Sequence, residues 1–131
     1  MAKETELVPD INLVSRIASS AIVKGDVSSE DDIRIDGTVE GSVYCEAKVV
    51  IGESSFVKGD IVCSNIDIYG RVEGNIYVRD LLSAKASADI EGDVKARRFQ
   101  MEIGARLNGV CKMIEESEFE DAASSVIKPL V

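Results

Sequence analysis

The chain of 131 residues carries 24 acidic and 15 basic side chains, a net charge of -9, with 45 % apolar residues. That supplies enough apolar material for one domain with a core, and the wrong sign of charge for attraction to nucleic-acid phosphates or anionic lipid headgroups. Histidine is absent, which removes the usual general base and the commonest metal ligand, so many hydrolase, transferase and metalloenzyme mechanisms lose their central residue.

Residues 1–12, which begin Met1-Ala2-Lys3-Glu4-Thr5-Glu6-Leu7-Val8-Pro9-Asp10, hold three acids and one lysine. They lack the basic start and apolar run of a secretory signal, and they read as a flexible N-terminal tail. No stretch approaches the roughly 18 uninterrupted apolar residues of a membrane span, so a cytoplasmic location is expected.

From residue 13 the pattern changes. A unit of apolar, variable, Gly, small or polar, apolar recurs six times, as Val23-Lys24-Gly25-Asp26-Val27, Val39-Glu40-Gly41-Ser42-Val43, Val57-Lys58-Gly59-Asp60-Ile61, Val72-Glu73-Gly74-Asn75-Ile76, Ile90-Glu91-Gly92-Asp93-Val94 and the degenerate Leu107-Asn108-Gly109-Val110-Cys111. Successive glycines lie 16, 18, 15, 18 and 17 residues apart. Between the units a second alternating segment keeps the same period: Ile33/Ile35, Val49/Ile51, Ile66/Ile68, Leu82/Ala84 and Phe99/Met101. Short alternation with a β-branched excess marks half-buried strands rather than helix. The stretch from Ile17 to Val23 repeats the pattern of Ile51 to Val57, which places the first coil near residue 13 and the last near 113.

A period near 17 residues is too short for a helix-turn-helix repeat and too long for a hairpin, but suits one circuit of a three-sided β-helix. The expected fold is all-β, a single solenoid of about six coils over residues 13–113, roughly 29 Å long at ~4.8 Å per stacked strand. Glycine would turn the corners, and the Asp, Asn or Ser that usually follows tolerates a tight turn. Stacking carries its own check, because equivalent residues become cross-strand neighbours. Lys24, Glu40, Lys58 and Glu73 alternate in sign down one column, and only Glu73 over Glu91 breaks the rule.

The same register sends Cys45 and Cys63 inward, with Cys111 on the adjacent inward column. An odd number of cysteines without a Cys-x-x-Cys pair argues against a disulfide framework or zinc, and core packing explains them better than redox chemistry. Glu30, Asp31, Asp32 and Asp36 cluster, but without the ordered spacing of a calcium loop; a solvated acidic corner is the simpler reading. Gly37-Thr38-Val39-Glu40-Gly41 lacks the Lys-Ser/Thr end and following helix of a phosphate loop. No catalytic, cofactor-binding or metal-binding residues are therefore assigned, and no cofactor is expected.

Two surfaces stand out instead. Tyr44, Val62 and Tyr77 fall on one outward column, either as a lateral contact stripe or as aromatic packing that merely stabilises the sheet. The second surface is the pair of ends, since a solenoid without caps leaves strand edges and apolar residues open to another copy. Candidate end-contact residues are Ile17, Ile22, Val23 and Val27 in the first coil, and Phe99, Met101, Ile103, Leu107 and Met113 in the last. Residues 114–131, with five acids and one lysine, read as an acidic flexible C-terminal tail with no evident capping helix, although Ile114, Phe119, Val126, Ile127 and Leu130 could contribute a lid.

The segments Ile33-Arg34-Ile35-Asp36-Gly37-Thr38-Val39-Glu40-Gly41, Val49-Val50-Ile51-Gly52-Glu53-Ser54 and Gly104-Ala105-Arg106-Leu107-Asn108-Gly109-Val110-Cys111-Lys112-Met113 resemble, in order, the signature stretches of the bactofilins, bacterial cytoskeletal proteins. The resemblance covers roughly residues 15–113. It implies a right-handed three-sided β-helix and nucleotide-independent polymers built through end contacts. It further implies flexible tails and a scaffold role for cell shape, cell-wall enzymes or other localised machinery, including recruitment to the inner face of the cell membrane. Leu107 stands where family members often carry an aromatic residue, which leaves a hydrophobic contribution to the end contact. The acidic N-terminal tail argues against direct membrane binding. Left-handed β-helix acyltransferases are the enzymatic alternative, but they need histidine and keep a strict six-residue periodicity, whereas this chain mixes gaps of four and six residues. A non-polymerising adaptor that recruits partners through its faces and tails is the other alternative.

Overall fold

A computed structural model describes the backbone of residues 15–127 and the side-chain surroundings of residues 15–121; the N-terminal tail at 1–12 and Leu130 lie outside the described residues. Fifteen strands, all paired in parallel, build a β-solenoid of about six turns.

Each circuit contributes one strand to each of three columns. The first column runs through β1 (Ser15–Ile17), β4 (Ile33–Ile35) and β7 (Lys48–Ile51), then the C-terminal parts of β9 (Ile61–Ile68), β11 (Ile76–Ala84) and β13 (Val94–Met101). The second is a 6-stranded sheet of β2 (Ile22–Lys24), β5 (Thr38–Glu40), β8 (Phe56–Lys58), β10 (Arg71–Glu73), β12 (Asp89–Glu91) and β14 (Arg106–Asn108). The third stacks β3 (Val27–Ser29), β6 (Val43–Cys45), the N-terminal parts of β9, β11 and β13, and β15 (Cys111–Met113). From β9 onward the first and third columns share continuous strands, so one sheet wraps two sides; a register shift between Val78 and Leu81 marks the bend on β11.

Alternation decides what goes inside. Ile35, Val39, Val49, Ile51, Val57, Ile66, Ile68, Val72, Ile76 and Ile90 are completely buried, forming one continuous core along the rod. Cys45 and Cys63 take their places in it at 1 % exposure. Burial pushes both thiols above their ordinary range, and that of Cys111 as well, so they are poor nucleophiles.

The glycine column shows why nothing larger fits. Gly59 has φ +152°, and a Cβ there would collide with the backbone oxygen of Gly41 in the preceding coil. Coils meet at this corner backbone to backbone. Each glycine N–H then donates to the coil ahead, from Gly25 to the Glu40 carbonyl at 3.0 Å through Gly92 to the Asn108 carbonyl at 3.0 Å.

The residue after the glycine does more than tolerate a turn. Asp26 Oδ1 accepts the Ser42 N–H at 2.9 Å, Asp60 Oδ1 the Asn75 N–H at 3.0 Å, Asn75 Oδ1 the Asp93 N–H at 3.3 Å, and Asp93 Oδ1 the Val110 N–H at 3.3 Å. A short side-chain acceptor thus satisfies a backbone donor of the next coil.

The charge ladder has the expected register, with Lys24, Glu40, Lys58, Glu73, Glu91 and Asn108 as successive partners. Its one like-charge step is offset by Arg71, whose guanidinium reaches Glu73 at 2.6 Å, Asp89 at 2.7 Å and Glu91 at 3.3 Å.

The C-terminal segment departs from expectation. In place of a flexible tail, α1 (Glu116–Ile127) follows the last coil after a two-residue link. Its start is well specified: the Phe119 N–H closes the first turn on the Glu115 carbonyl at 3.0 Å, and Glu118 Oε1 reaches back to the Glu115 N–H at 3.1 Å, one half of a capping box. Glu116 and Glu118 in the first turn suit the positive end of the helix dipole.

Candidate interaction surfaces

The candidate end-contact residues sit where burial fails. In the first coil Ile17, Val23 and Val27 are only partly buried against the core, and Ile22 is 65 % exposed. In the last, Phe99 and Leu107 are partly buried, whereas Met101, Met113 and Ile103 are 40 %, 63 % and 99 % exposed. The structure adds Val110, 62 % exposed, which sequence reasoning passed over. Its signal was present: Val110 stands where the other repeats place Asp, Asn or Ser, so the acceptor series ends on an apolar side chain.

Hydrogen bonding changes at the same place. Val27, Val43, Ile61, Ile76 and Val94 each donate a backbone N–H to the coil ahead, at 2.8 to 2.9 Å. Cys111 occupies the equivalent position in the sixth coil and Gly109 that of the repeat glycines, and among the described residues no further coil follows to accept from them. Among the described residues each end therefore combines a strand edge paired on one side only with an apolar rim, the combination that templates pairing with another chain.

The proposed lateral stripe is assembled as expected but not left open. Register stacks Ser28, Tyr44, Val62, Tyr77, Lys95 and Lys112 in one outward column. Val62, however, is 1 % exposed and shares a small apolar cluster with Ile114 and Phe119, against which Tyr44 and Tyr77 pack. In this structure α1 occupies the stripe, so the reading of an exposed apolar face gives way to a helix-covered one. Ile114 and Phe119 do act as a lid, but over the flank and not over an end. Val126 and Ile127 lie in the same helix beyond the described side chains.

Charged side chains flank the docked helix. The Arg79 guanidinium meets Glu116 at 2.6 Å and Glu120 at 3.5 Å, and stands 4.7 Å from the centre of the Phe119 ring. Lys112 lies 3.9 Å from Glu118, and the Lys95 ammonium 5.8 Å from the Tyr77 ring centre. Burying one phenyl group contributes about 2–3 kcal/mol, and each half-exposed ion pair at most ~1 kcal/mol. A 12-residue helix is marginal by itself in water, so the docked state is held by a few contacts only.

The acidic cluster serves structure. Asp36 accepts from Arg16 Nε and Arg34 Nε, each at 3.0 Å, its side chain only 8 % exposed. Hydrogen bonding from Arg34, its largest influence, holds the Asp36 carboxyl below the ordinary value, with Arg16 adding to it against the opposing effect of burial. Asp32 Oδ1 caps the Lys48 N–H at 3.0 Å. Among the described residues no group of three or more His, Cys, Asp or Glu is arranged to hold a metal ion, and no helix is long and apolar enough to cross a membrane.

Comparison with known proteins agrees with this architecture. The family model for bactofilin, described as polymer-forming cytoskeletal, matches residues 15–112. Bactofilin BacO of Myxococcus xanthus (strain DK1622) is 36 % identical over 93 residues, covering 71 % of this chain and 74 % of that protein. Bactofilin BacP of the same strain is 24 % identical over 132 aligned residues, covering 98 % of this chain but 55 % of that longer protein. No solved structure matches the chain significantly. The matched span begins at β1 and ends within β15, so it takes in the stack of coils, and the chain belongs to the bactofilin family of polymer-forming cytoskeletal proteins.

Proposed function

We propose that the chain assembles end to end into nucleotide-independent filaments and serves as a cytoskeletal scaffold that positions partners such as cell-shape or cell-wall machinery. One observation carries the reading: the inward columns that are sealed in every middle coil are open at Met101 and Met113 and only partly closed at Ile17 and Val23, with apolar Ile22 exposed beside them, while the strand edges there await a neighbour. Stacking a second copy there continues the ladder and buries those side chains with no bound cofactor. The family description, polymer-forming, points the same way.

Electron microscopy of the purified chain without nucleotide, beside Leu107→Arg, tests it. The arginine places a charge in the last coil, and the expected outcome is filaments for the parent and none for the variant. A parent that stays monomeric at high concentration moves the reading to a non-polymerising adaptor. Filaments that form only with ATP or GTP contradict the mechanism.

A further inference from the structure

We propose that the flank carrying Tyr44, Val62 and Tyr77 is a docking site for an acidic amphipathic helix with one aromatic anchor, and that α1 of a second copy takes it over when chains are packed together. The site is defined by complementarity. Its apolar floor, Val62 between Tyr44 and Tyr77, receives Phe119. Its basic rim, Arg79 and Lys112, pairs with Glu116, Glu120 and Glu118. A second copy of the chain carries the same helix and therefore fits by construction, making every contact that the resident helix makes.

Two features favour exchange over a permanent cover. The link between β15 and α1 is two residues, with Ile114 anchored through its N–H to the Ala96 carbonyl at 2.9 Å; exchange of the identical element beyond such a link between two copies replaces each contact by its equal at low cost. The basic side chains of the rim are 40 % and 62 % exposed, so their ion pairs re-form readily on a neighbour. In a dilute chain the tether keeps α1 at home through effective concentration. Where two chains lie side by side, a neighbour's flank competes on similar terms.

The inference rests on self-association, and its test separates the two. Ordinary and nitrogen-15-labelled full-length chains are mixed and treated with a carbodiimide, which joins Lys112 to Glu118 without a spacer. Linked peptides are then sorted by mass, and the same samples are viewed by electron microscopy. We expect only same-chain links when dilute, and light–heavy Lys112–Glu118 links rising severalfold as concentration and assembly increase. Phe119→Ser, which removes the anchor but replaces no residue of the coils, is expected to lose both kinds of link while keeping its β circular dichroism. Same-chain links alone at every concentration overturn the exchange; if filaments are present in those samples, the filament reading stands without it. Undiminished links in Phe119→Ser overturn the assignment of the anchor.

Discussion

The middle coils and the terminal coils are built from the same parts yet differ in what those parts do. In the column Val23, Val39, Val57, Val72, Ile90, Leu107, the four central side chains have no solvent exposure, while the two outermost are only partly buried. Nothing in the residue types predicts the difference. A coil here does not bury itself; it is buried by the coils above and below. The ends are consequently an unfinished version of the middle, and the apolar residues there stay partly exposed without any special motif.

Glycine should separate the two regions most sharply. Gly59→Ala meets the Gly41 backbone oxygen and is expected to cost about 2–4 kcal/mol. Gly25→Ala, at φ +140° with nothing within 4 Å, should cost only backbone strain, about 1–2 kcal/mol. Urea midpoints of the two variants measure the contrast, and equal losses would break it. Ile66→Ala, in the sealed middle, is expected to lose about 2–4 kcal/mol, whereas Ile22→Ala should fall within about 0.5 kcal/mol of the parent in dilute solution and show its effect only as weaker assembly.

A smaller effect, dependent on pH, belongs to the boundary between the first two coils. Asp36 has a lowered carboxyl pKa in the folded chain, so its pairing with Arg16 and Arg34 contributes stability above the ordinary carboxylate range. That contribution is lost as pH falls through the ordinary value and on through the lowered one. With both arginines about half exposed or more, Asp36→Asn should cost about 1 kcal/mol near neutrality, and the gap to the parent should close in acid. A gap that stays constant with pH would remove the ion pair from the account.

Much of the rod was legible in the sequence because stacking makes period and register visible. The glycine spacing, the inward cysteines and the Lys24–Glu40–Lys58–Glu73 column all follow from it, and the structure places them so. Longer reaches were hidden. Arg71 bridging to Asp89 and Glu91 depends on side-chain direction across coils, and the link from Asp26 to the Ser42 N–H is a tertiary contact that a turn preference only partly announces. The helix α1 was missed because its stretch is acidic, with Phe119 its main apolar anchor among the described side chains; its stability comes from Arg79 and Val62, both distant in sequence. The stripe looked exposed for the same reason.

If copies meet at the unfinished coils, amide hydrogen exchange on dilute against concentrated chain reports it. Exchange is expected to slow in β1 to β3 and in β14 to β15 on concentration, with β5, β8 and β10 unchanged. Protection confined to the flank strands, with the terminal coils exchanging as before, would contradict it.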